Sequence, residues 1–125
     1  MTVAPGLSRT FSRRTRAAES AAALGSGGLE VFSTPSLVAL FEITAKDLVD
    51  PLLPAGHSTV GIEIAVKHLK ATPIGQEVRC TVTVTGVDGK RIRFTGEMWD
   101  ERGQIGEGTH TRYVVNDEEF LRRLT

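Results

Sequence analysis

Four side chains in this sequence have the types and settings that chemistry needs. Glu42 stands between Phe41 and Ile43, inside a run that is otherwise largely apolar. Acids are seldom buried without a partner, because taking a carboxylate out of water is expensive. In a part-apolar site desolvation raises a carboxyl pKa, and the dry anion is a good base or nucleophile. The plain alternative is a structural carboxylate that points to solvent. His68 closes an alternating apolar run, so its ring is expected to point inward. A single inward histidine is commonly a satisfied core residue; beside a buried acid it becomes a proton carrier. Thr34 reads as a helix N-cap, and the helix start it marks offers free N–H groups to a developing oxyanion. Pro35 removes one of those donors. Arg112 shares a strand face with His110 and Val114, and reads either as a surface residue or as a clamp for substrate or phosphate.

Other arrangements are missing. There is no G-x-S-x-G nucleophile elbow. His57 and His110 do not combine with His68 at a metal-ligand spacing, and Cys80 stands alone. No metal centre and no internal disulfide is therefore expected. Cys80 falls on the apolar face of a strand and reads as packing. Gly25-Ser26-Gly27-Gly28 reads as a plain loop rather than a phosphate cradle, because no lysine follows at P-loop spacing. Residues 1–18 carry Arg9, Arg13, Arg14 and Arg16 and no acid. A charge-protected edge strand is the simplest reading of that stretch. A phosphate-binding patch and an organelle transit segment are the alternatives.

These side chains must be placed by the elements around them. Residues 10–15 are expected to form a short strand, and residues 17–24 a helix ended by Gly25. A longer helix is expected from Thr34 to about Val49, with Pro35 in its first helical position and Pro51 and Pro54 beyond its end. Its body is apolar nearly all round (Leu37, Val38, Ala39, Leu40, Phe41, Ile43, Ala45, Leu48, Val49), which predicts burial on most sides. After Gly56 the period changes to alternation. The run 59–70 is expected to put Val60, Ile62, Ile64, Val66 and His68 on one face. The run 77–87 does so with Val78, Cys80, Val82 and Val84, and the run 90–99 with Ile92, Phe94 and Met98. A fourth run spans 104–115. Asp88-Gly89 is a tight hairpin turn, and residues 101–104 form a second turn. Asn116 can cap a short last helix with Glu119 at its third position. One helix on one antiparallel sheet is an α+β layering. A helix apolar all round needs more cover than one curved sheet, so the sheet is expected to wrap it and another subunit to close the rest.

With 125 residues the chain is expected to form a single domain over 1–125, of which 1–16 are an N-terminal strand or extension. Hydrophobic residues at 40% and charged residues at 24% place it among folded globular proteins rather than disordered chains. Fifteen basic and fifteen acidic residues leave no net charge, which argues against nucleic acid as a partner. No apolar run approaches the roughly 20 residues that span a bilayer, so no membrane association is expected. The start lacks the apolar core of a secretory signal, and one cysteine fits a reducing compartment; a cytoplasmic location is expected.

Four stretches together resemble one known family. They are Phe32-Ser33-Thr34 with Glu42 eight residues on; Gly61-Ile62-Glu63-Ile64-Ala65-Val66-Lys67-His68; Ala71-Thr72-Pro73-Ile74-Gly75; and Gly106-Glu107-Gly108-Thr109-His110-Thr111-Arg112. In this order and spacing they resemble the hot dog-fold acyl-CoA thioesterases, in particular the branch containing fluoroacetyl-CoA thioesterase, over residues 18–120. The resemblance implies a long central helix wrapped by a curved antiparallel sheet, in homodimers or homotetramers with active sites between subunits. It implies Thr34, Glu42 and His68 as the catalytic group. It also implies Phe32, Gly61 and Arg112 as substrate-binding residues, with Gly61 a backbone donor near the thioester. The substrate would be a short or small acyl-CoA, or an acyl-carrier-protein thioester, with no cofactor. The fluoroacetyl-specific branch carries pocket-lidding aromatic residues just before the position of Phe32. Here Gly25-Ser26-Gly27-Gly28 stands there, which implies a different acyl group.

Two other functions share these residues: a non-catalytic acyl-CoA-binding protein, and an enoyl-CoA hydratase or dehydratase. One geometric condition also applies. In a regular helix, eight steps separate Thr34 from Glu42 by about 12 Å along the axis and by about 80° in direction. Both can meet one thioester only if the segment is irregular or if two subunits share the site.

Overall fold

A computed structural model describes residues 2–125. Five strands form one antiparallel sheet: β1 (Ser8–Arg14), β2 (His57–His68), β3 (Glu77–Asp88), β4 (Arg91–Asp100) and β5 (Gly103–Asn116). Their order across the sheet is β1-β3-β4-β5-β2, so β1 and β2 are its edges. The three helices are α1 (Ala21–Leu24), α2 (Thr34–Val49) and α3 (Asp117–Arg122). Helix α2 packs against β1, β2, β3 and β4. This is the α+β arrangement of one long helix embraced by a sheet.

The core lies between α2 and the sheet. Val78, Cys80, Val82, Val84, Ile92, Phe94 and Met98 alternate inward from β3 and β4, as their spacing predicts. From α2 come Leu37, Leu40, Phe41, Ala45 and Val49, all without exposed surface. Each large side chain buried this way contributes about 1.5–3 kcal/mol of gross stabilisation. The approach of helix to sheet is set by Gly96: a Cβ there would stand 2.7–2.9 Å from three atoms of the Phe41 ring.

Several local expectations change. The N-cap of α2 is Ser33, whose hydroxyl accepts from Ser36 N at 3.2 Å; Thr34 is the first helical residue, and its hydroxyl is left free of capping. The reason lies upstream, where Glu19 O accepts Ser33 N at 3.0 Å and Ser36 Oγ at 3.1 Å and fixes the chain's entry into the helix. The expected helix over 17–24 is a 3-10 turn (Ala17–Glu19) and then α1, separated by Ser20, whose side chain caps Ala23 N. Gly25 ends α1 in the left-handed region at φ 74°. Helix α2 is not covered on most sides by its own chain: Val38 and Ala39 are half-buried and Ile43 is 40% exposed.

Strand β2 also departs from simple alternation. The register shifts between Gly61 and Glu63, which makes Ile62 an extra residue in a bulge, 49% exposed. One inserted residue inverts the facing of everything before it. So Thr59, not Val60, is buried on the first half of the strand, while Ile64 and Val66 pack on the core in the second half.

Candidate active site

Two clusters of the expected site residues form, one at each end of the region where α2 meets β2. In the first, Thr34 Oγ1 lies 2.8 Å from His68 Nδ1. This bond exists because Ser33 took the capping role. His68 Nε2 is buried with no partner among the described residues. Burial lowers the His68 pKa below the usual imidazole value of 6.5, against a smaller upward pull from the Lys70 backbone. The ring is therefore neutral at neutral pH. Phe32, Ser33, Thr34 and His68 line a cleft of about 350 Å³; Phe32 itself is 1% exposed and forms its floor. The segment before Phe32 contributes Ser26 and Val31 to its wall, and α1 contributes Ala21.

The second cluster surrounds Gly61. Its strand partner is Arg112. A Cβ at Gly61 would lie 2.9 Å from Glu42 Oε2, 3.2 Å from His110 Cε1 and 3.4 Å from Arg112 Nη1. Glycine is thus what lets these three groups meet at the strand. Arg112 is buried, and its Nη1 stands 3.9 Å from Glu42 Oε2. Its Nε donates to Thr59 Oγ1 at 2.7 Å and its Nη2 to Thr59 O at 2.9 Å. Thr59 Oγ1 in turn donates to Asp50 Oδ1 at 2.6 Å. Desolvation lowers the Arg112 pKa, with Asp50 and Glu42 pulling it back up; a guanidinium stays charged here regardless. Glu42 retains 41% of its side-chain exposure within one chain, so its carboxylate stands at a rim rather than in a sealed interior.

Thr34 and His68 are therefore brought together, and so are Glu42, Gly61 and Arg112, but the two groups stay apart. Helix α2 runs without a break from Thr34 to Val49. Its rise of about 1.5 Å per residue keeps Thr34 and Glu42 about 12 Å apart along the axis. Thr59 and Asp50 were not foreseen, since only the pairing of β2 with β5 brings Thr59 to Arg112 and only the packing of the end of α2 brings Asp50 to Thr59, whereas His110 shares the Arg112 face as its spacing predicts. The basic N-terminal segment has structural work instead. Arg13 Nη1 donates to Glu19 Oε1 at 2.6 Å and Arg14 Nη1 to Gly75 O at 2.6 Å, while Arg16 lies 3.7 Å from Glu19. Burial would raise the Glu19 pKa, but the bonds from Arg13 and the Arg16 backbone, with both guanidinium charges, hold it below the usual value. Cys80 is buried and its thiol is pushed up to about 11, which makes it inert packing.

The chain matches known proteins along nearly its whole length. Residues 16–118 match the family described as fluoroacetyl-CoA-specific thioesterase. A fluoroacetyl-CoA thioesterase of Streptantibioticus cattleyicolor is 36% identical over 91 residues, a stretch that spans 73% of this chain and 66% of that relative. A phenylalanine-to-alanine mutant of the fluoroacetyl-CoA-specific thioesterase FlK superposes with a TM-score of 0.92 at 28% identity, covering 100% of this chain and 99% of the other. The same mutant with fluoroacetate and CoA bound gives 0.90 at 29% identity, over 94% of this chain and 99% of the other. A hot-dog-like protein from Thermanaerovibrio acidaminovorans gives 0.88 at 26% identity, over 96% and 89%. The sheet order, the long helix and the sequence match agree: this chain has the hot dog fold and belongs to the fluoroacetyl-CoA-specific thioesterase family of thioester hydrolases.

Proposed function

We propose that this chain hydrolyses the thioester of a short or small acyl-CoA in a site built from two subunits. The observation that carries this reading is the division of the chemistry. Thr34 and His68 are paired at one end of the helix, and Glu42 lies with Gly61 and Arg112 eight residues further on. Because β2 is a sheet edge, a second copy can add its own β2 there. Antiparallel pairing about a two-fold axis at Ala65, with Ile62 left out in its bulge, would set Gly61 opposite the partner subunit's His68. The uncovered face of α2, with Ile43 exposed, supports the same assembly as a homodimer, alone or doubled into a homotetramer.

In such a site the Glu42 carboxylate attacks the thioester carbonyl, or takes the proton from a water that does. The imidazole of His68, neutral at rest, takes up the proton released by the water and then, as imidazolium, gives it to the departing sulfur. The Thr34 hydroxyl, the first N–H groups of α2 and the Gly61 backbone orient the carbonyl oxygen. The side-chain-poor loop at Gly25–Gly28 supports an acyl group other than fluoroacetyl, since no aromatic side chain from it closes the cleft. An acyl-carrier-protein thioester presents the same reactive bond. A cytoplasmic setting agrees with the single free thiol of Cys80. No helix among the described residues is long and apolar enough to cross a membrane.

The test is a panel of acyl-CoA thioesters followed by thiol release. Glu42→Ala is expected to lower kcat on the best substrate by about 100-fold or more. Unchanged turnover would overturn the mechanism. Binding of acyl-CoA without turnover of any ester would favour a binding protein, and loss of enoyl-CoA absorbance a hydratase.

A further inference from the structure

His110 is not among the residues assigned a role above, yet both of its ring nitrogens are bonded and both of its faces are packed. Its Nδ1 lies 2.7 Å from Glu63 O and its Nε2 lies 3.2 Å from Arg112 Nη1. A carbonyl oxygen only accepts, so Nδ1 carries the proton. A guanidinium only donates, so Nε2 is bare and receives the Arg112 hydrogen. The two contacts agree on one neutral tautomer. The ring is 2% exposed, stacked on Phe94 with centroids 5.7 Å apart and met edge-on by Phe41 at 5.5 Å. It cannot turn without disturbing both.

The consequence falls on Arg112. Thr59 holds two of its nitrogens, and His110 holds the third, Nη1, which is also the nitrogen nearest Glu42. We propose that His110 is a positioning residue: its bare Nε2 sets the Nη1 end of Arg112, and through it the place of the Glu42 carboxylate beside Gly61. An imidazolium in its place would turn an N–H toward the guanidinium and put two positive groups in contact. Burial, the strongest influence, together with the Arg112 charge, keeps the His110 pKa below the usual 6.5, against opposing pulls from the Glu63 carbonyl and Glu42. The geometry already requires that neutral form. The proposal rests on the thioesterase reading of Glu42 only where kcat is the readout.

The test compares two amide replacements. His110→Asn keeps a donor for Glu63 O and loses the acceptor for Arg112; His110→Gln places an amide oxygen where Nε2 stood. His110→Asn is expected to lower kcat by about 10- to 100-fold, with KM within about twofold, and His110→Gln to restore most of it. In an Arg112→Lys background the Asn substitution should add less than about a twofold loss, because residues acting through one another are not additive. Equal losses in Asn and Gln variants, or an undiminished loss in the Arg112→Lys background, would overturn the proposal. Nitrogen-15 NMR of the wild-type protein gives a readout that needs no turnover. Nδ1 should be protonated and Nε2 bare near neutral pH, and the Arg112 Nε–H resonance should sharpen in His110→Gln relative to His110→Asn. A protonated Nε2 overturns the proposal. Sound NMR results with no acyl-CoA hydrolysed would instead overturn the reading of the site.

Discussion

Gly61 shows how much one missing side chain can decide. Its backbone angle is not one that demands glycine; the space does, since an added Cβ would stand 2.9 Å from Glu42 Oε2. That atom is the end of a flexible chain and can move aside, but His110 Cε1 at 3.2 Å belongs to a held ring, so Gly61→Ala should cost about 1–2 kcal/mol of stability. It should also displace the carboxylate and lower kcat by about 10- to 100-fold. Thermal melting and steady-state kinetics on the same preparation check both halves; a large melting loss would show that the strand, not Glu42, gives way. His68 makes a prediction about pH. Its imidazole must be neutral to take a proton, and burial lowers its pKa from 6.5. Activity should therefore be retained at pH 6.5 and fall only as pH drops below that value. A pH–rate profile whose acid limb has its midpoint above 6.5 would contradict this role for His68 in the free enzyme.

Helix α2 presents different residues in three directions. Leu37, Leu40, Phe41, Ala45 and Val49 face the sheet, Thr34 begins the helix beside His68, and Glu42 follows Phe41 onto the rim by Arg112. The position of Phe41 thus sets that of Glu42. Gly96→Ala would drive a methyl group into the Phe41 ring, a rigid and fully buried neighbour. Overpacking of this kind costs about 1–3 kcal/mol and should lower Tm by several degrees. Activity should fall with it, since the helix that carries Glu42 must shift. A variant that melts like wild type would show that the ring can move aside freely.

Across the assembled molecule, the shared-site proposal makes its own prediction. Glu42→Ala and His68→Ala homodimers should each be nearly inactive. Unfolded, mixed and refolded together, they should form heterodimers in which one of two sites has both Glu42 and His68 intact. Random mixing makes half of the dimers hybrid, so activity should return to about a quarter of wild type. No recovery despite hybrid formation, checked by mass spectrometry, would mean that Glu42 and His68 of the same chain serve one site.

Much of this was legible in the amino-acid order. Strands β3 and β4, their Asp-Gly turn, the span of α2 and the Asn116 cap of α3 follow from local rules: the periods of strand and helix, turn chemistry and capping. Thr34, Glu42, His68 and Arg112 also stood out, because acids, imidazoles and guanidinium groups in apolar surroundings are costly and so conspicuous. What the order could not settle were matters of which distant groups compete for one partner. Ser33 rather than Thr34 caps the helix because Glu19 O anchors it; Ile62 bulges and reverses the facing of Thr59; and Thr59, itself bonded to Asp50 at the end of α2, meets Arg112 only because β2 lies beside β5. The bond from Arg112 to Thr59 joins residues 53 positions apart, and no periodicity within a short window records it. Local rules choose the elements, while contacts between elements decide which side chains share a site.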